Sequence, residues 1–335
     1  MDIVFNCNDA YVPWLGAAAA SLLSNSKEPE KVRLFVLTTG LSDENSRKLR
    51  ELAASFGSGL LVVSVPSFEE ELLSRSGSLP ATGRFGLTAL LRLFAPDYLP
   101  EDVFRYLYLD CDLIVRKDLS PLFETELCGA PAALAPEPTI YGGVKDYLGM
   151  PEEAPYFNSG VILTDRKRWQ ELSVSEACLA YLGEKSGRLP FADQDVLNHV
   201  LSGRAAVLSQ RWNFLSNYYY RSYESLIKGA DWYRSICKKK DYRAAREDPA
   251  IVHFAGAERP WIRGNRNPYR MEFRKYLELT AWKDTPEIPE RELSMAMYHA
   301  MNVLTGLCPP LRRGISALYF RRYMAAFQKS GEQKP

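Results

Sequence analysis

The sequence has almost no net charge: 42 Lys and Arg stand against 41 Asp and Glu, leaving +1. That excludes a uniform basic field, the footprint of a nucleic-acid binder. No uninterrupted apolar run approaches the roughly 18 residues needed to span a bilayer, so a soluble or peripheral protein is expected. The six cysteines, at 7, 111, 128, 178, 237 and 308, form no C-x-x-C pair. This argues against zinc-ribbon and dithiol chemistry and fits a reducing cytoplasm. The opening MDIVFN carries no basic n-region, so no signal peptide is expected. Also missing are G-x-G-x-x-G after the first strand, G-x-x-x-x-G-K-[ST] and G-x-S-x-G. Their absence argues against a dinucleotide oxidoreductase, a P-loop ATPase and a serine-hydrolase elbow.

What is present is ordinary globular material, 46% hydrophobic and 25% charged over 335 residues. At roughly 150 residues per domain this allows two domains, or one large one with an appendage. Apolar segments at Ile3–Phe5, Val32–Leu37 and Leu60–Val65 predict strands. Between them lie a helical stretch through Leu15–Leu23 and another, capped by Ser42, through Leu49 and Leu52. Such alternation argues for a mostly parallel sheet covered by helices. Thr88–Ala95 is predicted helical and ended by Pro96. Phe104–Leu109, Leu113–Val115, Ala132–Ala135 and Gly160–Thr164 are predicted strands, and Trp169–Leu182 and Gln194–Leu201 helices. From Trp212 to Ile251 no period is evident, and an irregular region is expected. Glu290–Leu304 reads as a helix, Pro309-Pro310 breaks it, and a basic-aromatic stretch follows.

Four motifs can carry chemistry. Asp110-Cys111-Asp112 closes the apolar run Tyr106-Leu107-Tyr108-Leu109. Residues i and i+2 share a side of a strand, so two hard carboxylates at a strand mouth suit Mg²⁺ or Mn²⁺. The bland alternative is a solvated turn, and a phosphatase of the haloacid dehalogenase type also opens with an apolar strand and D-x-D. His253, in HFAGAERPW, is one of three histidines; it ends a short strand and can complete an Asp/Asp/His site. Arg259, six residues on, can grip a phosphate. Asn158 and Ser159, at the mouth of YFNSGVIL, offer neutral groups suited to sugar hydroxyls. In DQDVLN, Asp193 fits a helix N-cap; alternatively Asp193 and Gln194 face an anionic or polyhydroxylated ligand at a helix N-terminus.

Taken in order along the chain, MDIVF with Asn8-Asp9-x-Tyr11, then Arg92-Leu93, YLYLDCDLIV, YFNSGVILTD, DQDVLN and HFAGAERPW resemble glycosyltransferase family 8. That family includes bacterial lipopolysaccharide galactosyl- and glucosyltransferases and, more distantly, glycogenin. The resemblance runs from Met1 to about Trp261. It implies an α/β GT-A fold: a Rossmann-like, nucleotide-binding mixed sheet with helices on both faces, here followed by a C-terminal helical appendage. We expect the glycosyltransferase domain over residues 1–270 and a helical region with a basic-aromatic tail over 271–335.

The resemblance further implies a UDP-sugar donor, Mn²⁺ (with Mg²⁺ possible) and transfer of a hexose with retention of configuration. Asp110, Asp112 and His253 would hold the metal. Asn8, Asp9, Tyr11, Arg92, Asp110, Cys111, Asp112, Gly256 and Arg259 would line the donor nucleotide, with Tyr11 stacked on uracil. Gln194, Asp193 and Asn158 would line the sugar as the catalytic group, the Gln194 carbonyl beside the anomeric carbon. Three departures stand out. Asn8 occupies a position that is often Asp, Arg259 one that is Lys, and the family's sugar-contacting Asp falls in ALAPE, where either Glu137 substitutes or the contact is absent. Double displacement would need a carboxylate nucleophile, for which Asp193 is nearest; front-face attack needs none and is favoured.

Residues 309–335 hold Arg312, Arg313, Arg321, Arg322, Lys329 and Lys334 against Glu332 alone. As a helix this stretch could lie on an anionic leaflet at the inner face of the membrane, near a glycan or lipid-linked acceptor, or pack on the body. Cell-surface glycan synthesis by a cytoplasmic enzyme is the expectation. The rivals are the Mg²⁺ phosphatase and a non-catalytic sugar-nucleotide binder.

Overall fold

The computed structural model describes residues 1–77, 86–140, 143–186, 188–289, 292–306 and 308–332. Among the described residues there are ten strands: β1 Asp2–Asn6, β2 Arg33–Thr38, β3 Gly59–Ser64, β4 Arg105–Leu109, β5 Leu113–Val115, β6 Ala132–Pro136, β7 Phe157–Asp165, β8 Ala206–Val207, β9 Phe214–Leu215 and β10 Ile251–His253. Seven form one sheet in the order β3-β2-β1-β4-β7-β6-β8. β1 to β4 run parallel, while β7 is antiparallel to both β4 and β6. The reversal sets the site: it brings the start of β7 to the edge where β1, β4 and β6 end. β5, β10 and β9 make a small second sheet.

The strands are apolar on both sides because both faces are covered. Ile3 and Phe5 join Leu34, Val36, Leu107 and Leu109 in a core roofed by the helices Val12–Asn25 and Arg270–Leu277. Val4, Phe35, Tyr106, Tyr108 and Ile162 pack on the other face with Trp169, Cys178 and Leu197. This is the mixed sheet with helices on both faces that the sequence predicted. On the first face Trp14 stacks on Trp261, centroids 4.5 Å apart.

Several predicted elements differ. Leu87–Leu93 is a 3-10 helix, followed by a short α-helix Ala95–Tyr98. Pro96 therefore opens a helix, at a position where its missing N–H is not needed, rather than closing one. Trp169–Leu182 is two helices, Arg166–Glu171 and Val174–Glu184, separated by Ser173 at φ 49°. Asp193 is not an N-cap. It is the first residue of the helix Asp193–Val200, and the capping position belongs to Ala192. The region after Trp212 contains the helices Tyr223–Ile227, Tyr233–Ile236 and Lys239–Glu247, which pack their own core around Phe214, Tyr218, Tyr233 and Tyr242. Helices this short show too few turns to leave a period. Ser42 does cap its helix, accepting from Asn45 N–H.

Beyond the sheet lie the helices Glu292–Gly306 and Pro309–Glu332. Glu290 lies outside the described residues. The second helix packs on the body through Met324, which is buried. Arg312 is buried as well, donating to Asn302 Oδ1 at 2.8 Å and Thr305 Oγ1 at 3.4 Å, so it is not a surface cation.

Gly16 lets the first helix come close to the segment after Leu277: a Cβ there would lie 2.7 Å from the buried Trp282 ring. Gly16→Ala should therefore destabilise the protein by about 1–3 kcal/mol, the usual cost of overpacking, measured by chemical denaturation. Trp282→Leu should remove most of that penalty in the double variant.

Candidate active site

The site is assembled at the strand edge. Asp110 follows β4, and its N–H donates to Gly160 O at 2.8 Å, which fixes it against β7. Its Oδ1 accepts from Tyr108 OH at 2.7 Å and pairs with Arg92 at 2.8 Å. Asp112 is buried between His253 and Arg259, with His253 Nε2 3.1 Å from Oδ1 and Arg259 3.2 Å from Oδ2. Burial alone would raise the Asp112 carboxyl, but His253 and Arg259 outweigh it and hold it well below the usual carboxylate range. Burial works against a charge on His253, yet Asp112 prevails and raises the imidazole above its ordinary value.

One ligand atom each from Asp110, Asp112 and His253 lies within 4.8 Å of the others. Two carboxylates and one imidazole suit a hard or borderline divalent ion. His253 is also oriented as a metal ligand should be: Nδ1 lies 3.0 Å from Asn213 Oδ1, which places the proton there and turns Nε2 to the carboxylates. Gly160 makes room for the cluster. A Cβ on it would lie 2.3 Å from His253 Cε1 and 2.8 Å from Asp110 Oδ2.

A buried amide network leads away from the cluster. Asn213 Nδ2 donates to Asn158 Oδ1 at 2.7 Å. Asn158 Nδ2 donates to Gln194 Oε1 at 3.0 Å and Glu137 Oε2 at 2.9 Å. Gln194 Oε1 also accepts from Ser159 N–H at 3.2 Å, and its Nε2 donates to Tyr156 OH at 3.2 Å. Tyr156 OH donates to Asp195 Oδ1 at 2.6 Å. Burial pushes the Asp195 carboxyl up to about 7, against the bonds from Tyr156 and Phe191 N–H. Burial likewise raises Glu137, whose bond from Asn158 only partly opposes it.

Arg92 joins the two halves. Buried against the face of Tyr108, it reaches Asp110 and, at 3.2 Å, Asp193, and donates to Ser159 O at 2.9 Å. Asp193 Oδ2 also accepts from Ser159 Oγ at 2.9 Å. Burial raises the Asp193 carboxyl although Arg92 opposes it.

The structure thus brings Arg92, Asp110, Asp112, Asn158, Asp193, Gln194, His253 and Arg259 into one network. Tyr11, partly exposed, joins at the rim, accepting from Arg259 Nη1 at 3.0 Å. Other predicted residues lie outside it. Asp9 accepts from Ser42 N–H and Asn45 Nδ2, so its carboxylate braces the next helix. The Cys111 thiol is buried and donates to Asn6 O. Asn8 is exposed at the rim. Gly256 is needed for its backbone, at φ 105°. Sequence reasoning missed Gly160, Asn213, Tyr156 and Asp195 as supporting residues. It also missed Asn6, a buried amide at the end of β1 whose two polar atoms have no partner among the described residues. A polar residue closing an apolar strand was the available signal.

The fold and this strand-edge site define a glycosyltransferase of the GT-A architecture. The family pattern of glycosyl transferase family 8 matches residues 2–264, and the chain belongs to that family. General stress protein A of Bacillus subtilis (strain 168) is 29% identical over 286 residues, covering 84% of this chain and 94% of that protein. Lipopolysaccharide 1,2-glucosyltransferase of Escherichia coli (strain K12) is 26% identical over 295 residues, covering 85% and 79%. Among solved structures, galactosyltransferase LgtC with donor and acceptor sugar analogues superposes with a TM-score of 0.69 at 24% identity, over 88% of this chain and 100% of that one. Family membership removes the phosphatase reading of Asp110 and Asp112.

Gly160→Ala should displace His253 and Asp110 without unfolding the sheet. We expect calorimetric Mn²⁺ affinity to fall by about tenfold or more with a circular-dichroism spectrum like wild type. Retained affinity would mean the cluster does not hold the metal.

Proposed function

We propose that the protein transfers glucose or galactose from a UDP-sugar to a glycan or lipid-linked acceptor, with retention of configuration, in bacterial cell-surface glycan synthesis. The observation that carries this reading is the Asp110/Asp112/His253 cluster joined through Asn213 and Asn158 to Gln194 and Asp193. In this reading it would couple a site for a metal-bound diphosphate to a polar pocket for a sugar. The lipopolysaccharide glucosyltransferase activity named for the E. coli relative supports the acceptor class.

Asp110, Asp112 and His253 would hold Mn²⁺, with Mg²⁺ as an alternative. When bound, the ion supplies charge neutralisation on the departing diphosphate. Tyr11 would stack on the uracil at the rim, and Arg259, already on Asp112, would face the phosphates. Asn158, Asp193 and Gln194 would line the hexose, with Asp193 oriented by Arg92 and Ser159. The same contacts argue against Asp193 as a free nucleophile, since its Oδ2 is shared by Arg92 and Ser159 and its pKa is raised. This supports front-face attack, in which the leaving diphosphate takes the acceptor's proton and the protein contributes position and electrostatics. Glu137 sits in the segment where the family's sugar-contacting Asp falls, bonded to Asn158.

No helix among the described residues is long and apolar enough to cross a membrane. We place the enzyme at the cytoplasmic membrane face as a peripheral protein, held by the outer side of the helix Pro309–Glu332. There Leu318 and Tyr319 are exposed beside Arg321, Arg322 and Lys329.

The donor is tested by UDP release over a panel of UDP- and GDP-sugars. We expect turnover of UDP-glucose or UDP-galactose that EDTA abolishes and Asp112→Ala lowers by about a hundredfold or more. Metal-dependent UDP binding without turnover, even with glycan acceptors supplied, would favour the non-catalytic binder. No UDP binding would overturn the proposal. Reversing two exposed charges, Arg321→Glu with Arg322→Glu, should weaken sedimentation with phosphatidylglycerol vesicles by about tenfold or more, at about 1 kcal/mol per charge. Unchanged sedimentation would remove the membrane assignment.

A further inference from the structure

The chain enters the helix Asp193–Val200 through residues 188–192, and that stretch is gripped from two sides. Ala192 stands at φ 47°, ψ −119°, a conformation that is strained for a residue with a Cβ and persists only when its surroundings enforce it. Asp193 and Gln194 follow it directly. On the inner side, Asp195 Oδ2 accepts from Phe191 N–H at 2.6 Å. Its other oxygen holds Tyr156, which in turn holds the Gln194 amide.

On the outer side the grip comes from the C-terminal helix. Tyr323 OH donates to Pro190 O at 2.9 Å. The Phe191 ring packs against Phe320 and Tyr323, each centroid 6.1 Å away. Arg188 donates to Phe327 O at 3.3 Å and lies over the Phe327 ring, which also meets Tyr147 edge-on. Phe320, Tyr323 and Phe327 are spaced i, i+3 and i+7, one face of a helix. That face is therefore committed to the loop leading into the sugar-lining pair.

Building on the transferase reading above, we infer that the C-terminal helix is a positioning element of the active site. Its Phe320–Tyr323–Phe327 face holds the strained turn at Ala192, and through it Asp193 and Gln194. Asp110, Asp112, His253 and Arg259 hang from β4, β10 and the segments that follow them, and Tyr11 from the turn after β1. Loosening the tail should thus reduce turnover and leave nucleotide binding unchanged.

The test uses full-length Phe320→Ala and Tyr323→Phe, with Gln328→Ala, an exposed site on the same helix, as control. Two readouts are taken. With the donor that wild type turns over, kcat should fall by about tenfold or more, as expected for misplaced catalytic groups, while metal-dependent UDP affinity by calorimetry stays within about twofold of wild type. In the resting protein, hydrogen exchange of peptides spanning 188–198 should accelerate in both variants and not in the control. Ala192→Gly, which adopts the turn without strain, should restore part of the turnover lost in Phe320→Ala. Unchanged exchange over 188–198 in folded variants overturns the inference, as does UDP affinity that falls in step with kcat. Wild type inert toward every sugar nucleotide would instead remove the transferase reading, and the exchange result would still decide whether the tail holds the turn.

Discussion

Charges buried in one strand-edge cleft constrain this molecule more than any other feature. Arg92, Asp110, Asp112, Asp193, His253 and Arg259 stand within a few bonds of one another, and most are shielded from water. Removing a charge from water is tolerable only where a partner meets it with good geometry. Each partner here arrives from a different part of the chain: a 3-10 turn, the end of β4, the start of a helix, the end of β10 and the loop after it. The fold must therefore close fully before the cleft is electrostatically tolerable. The antiparallel setting of β7 makes the closure possible, because Asn158, Ser159 and Gly160 then lie beside Asp110 rather than at the far end of the sheet.

The parts of the site legible in the sequence are those where chemistry and local pattern coincide. An apolar strand ending in two acids, and a rare histidine ending another, declare themselves because strand mouths are where a parallel sheet offers side chains to ligands. The order of motifs then carried the family, and the family pattern agrees. The supporting residues stayed hidden for a physical reason. Asn213 lies where helices are too short to show a period, yet it sets the His253 proton across forty positions of sequence. Gly160 matters through an atom it lacks, against neighbours supplied by β4 and β10. Asp193 read as a cap because caps are the common use of Asp before a helix; its carboxylate instead serves Arg92, a contact 101 residues distant in sequence by the numbering of the two partners. Pro96 misled in the same way, since a proline that closes one helix looks identical to one that opens the next.

The tail shows how composition can mislead about surface. Its basic count suggested a free cationic face, but Arg312 is consumed internally by Asn302 and Thr305. One aromatic face is likewise consumed by the loop before Asp193. What the helix presents outward is narrower than its sequence, and what it presents inward touches Asp193 and Gln194 at one remove.

The amide network has a polarity. From the His253 ring proton to Asn213, Asn158, Gln194, Tyr156 and finally Asp195, every link donates in the same sense. Turning one amide over would set donor against donor on one side and acceptor against acceptor on the other, so the links reverse together or not at all. The His253 ring N–H, which can only donate, fixes the sense at one end and the accepting Asp195 carboxyl at the other. An aspartate would fit the volume at position 158 yet could not pass the bond onward. The network is thus written in one direction, and that direction is decided at its two ends, the His253 ring and the Asp195 carboxyl.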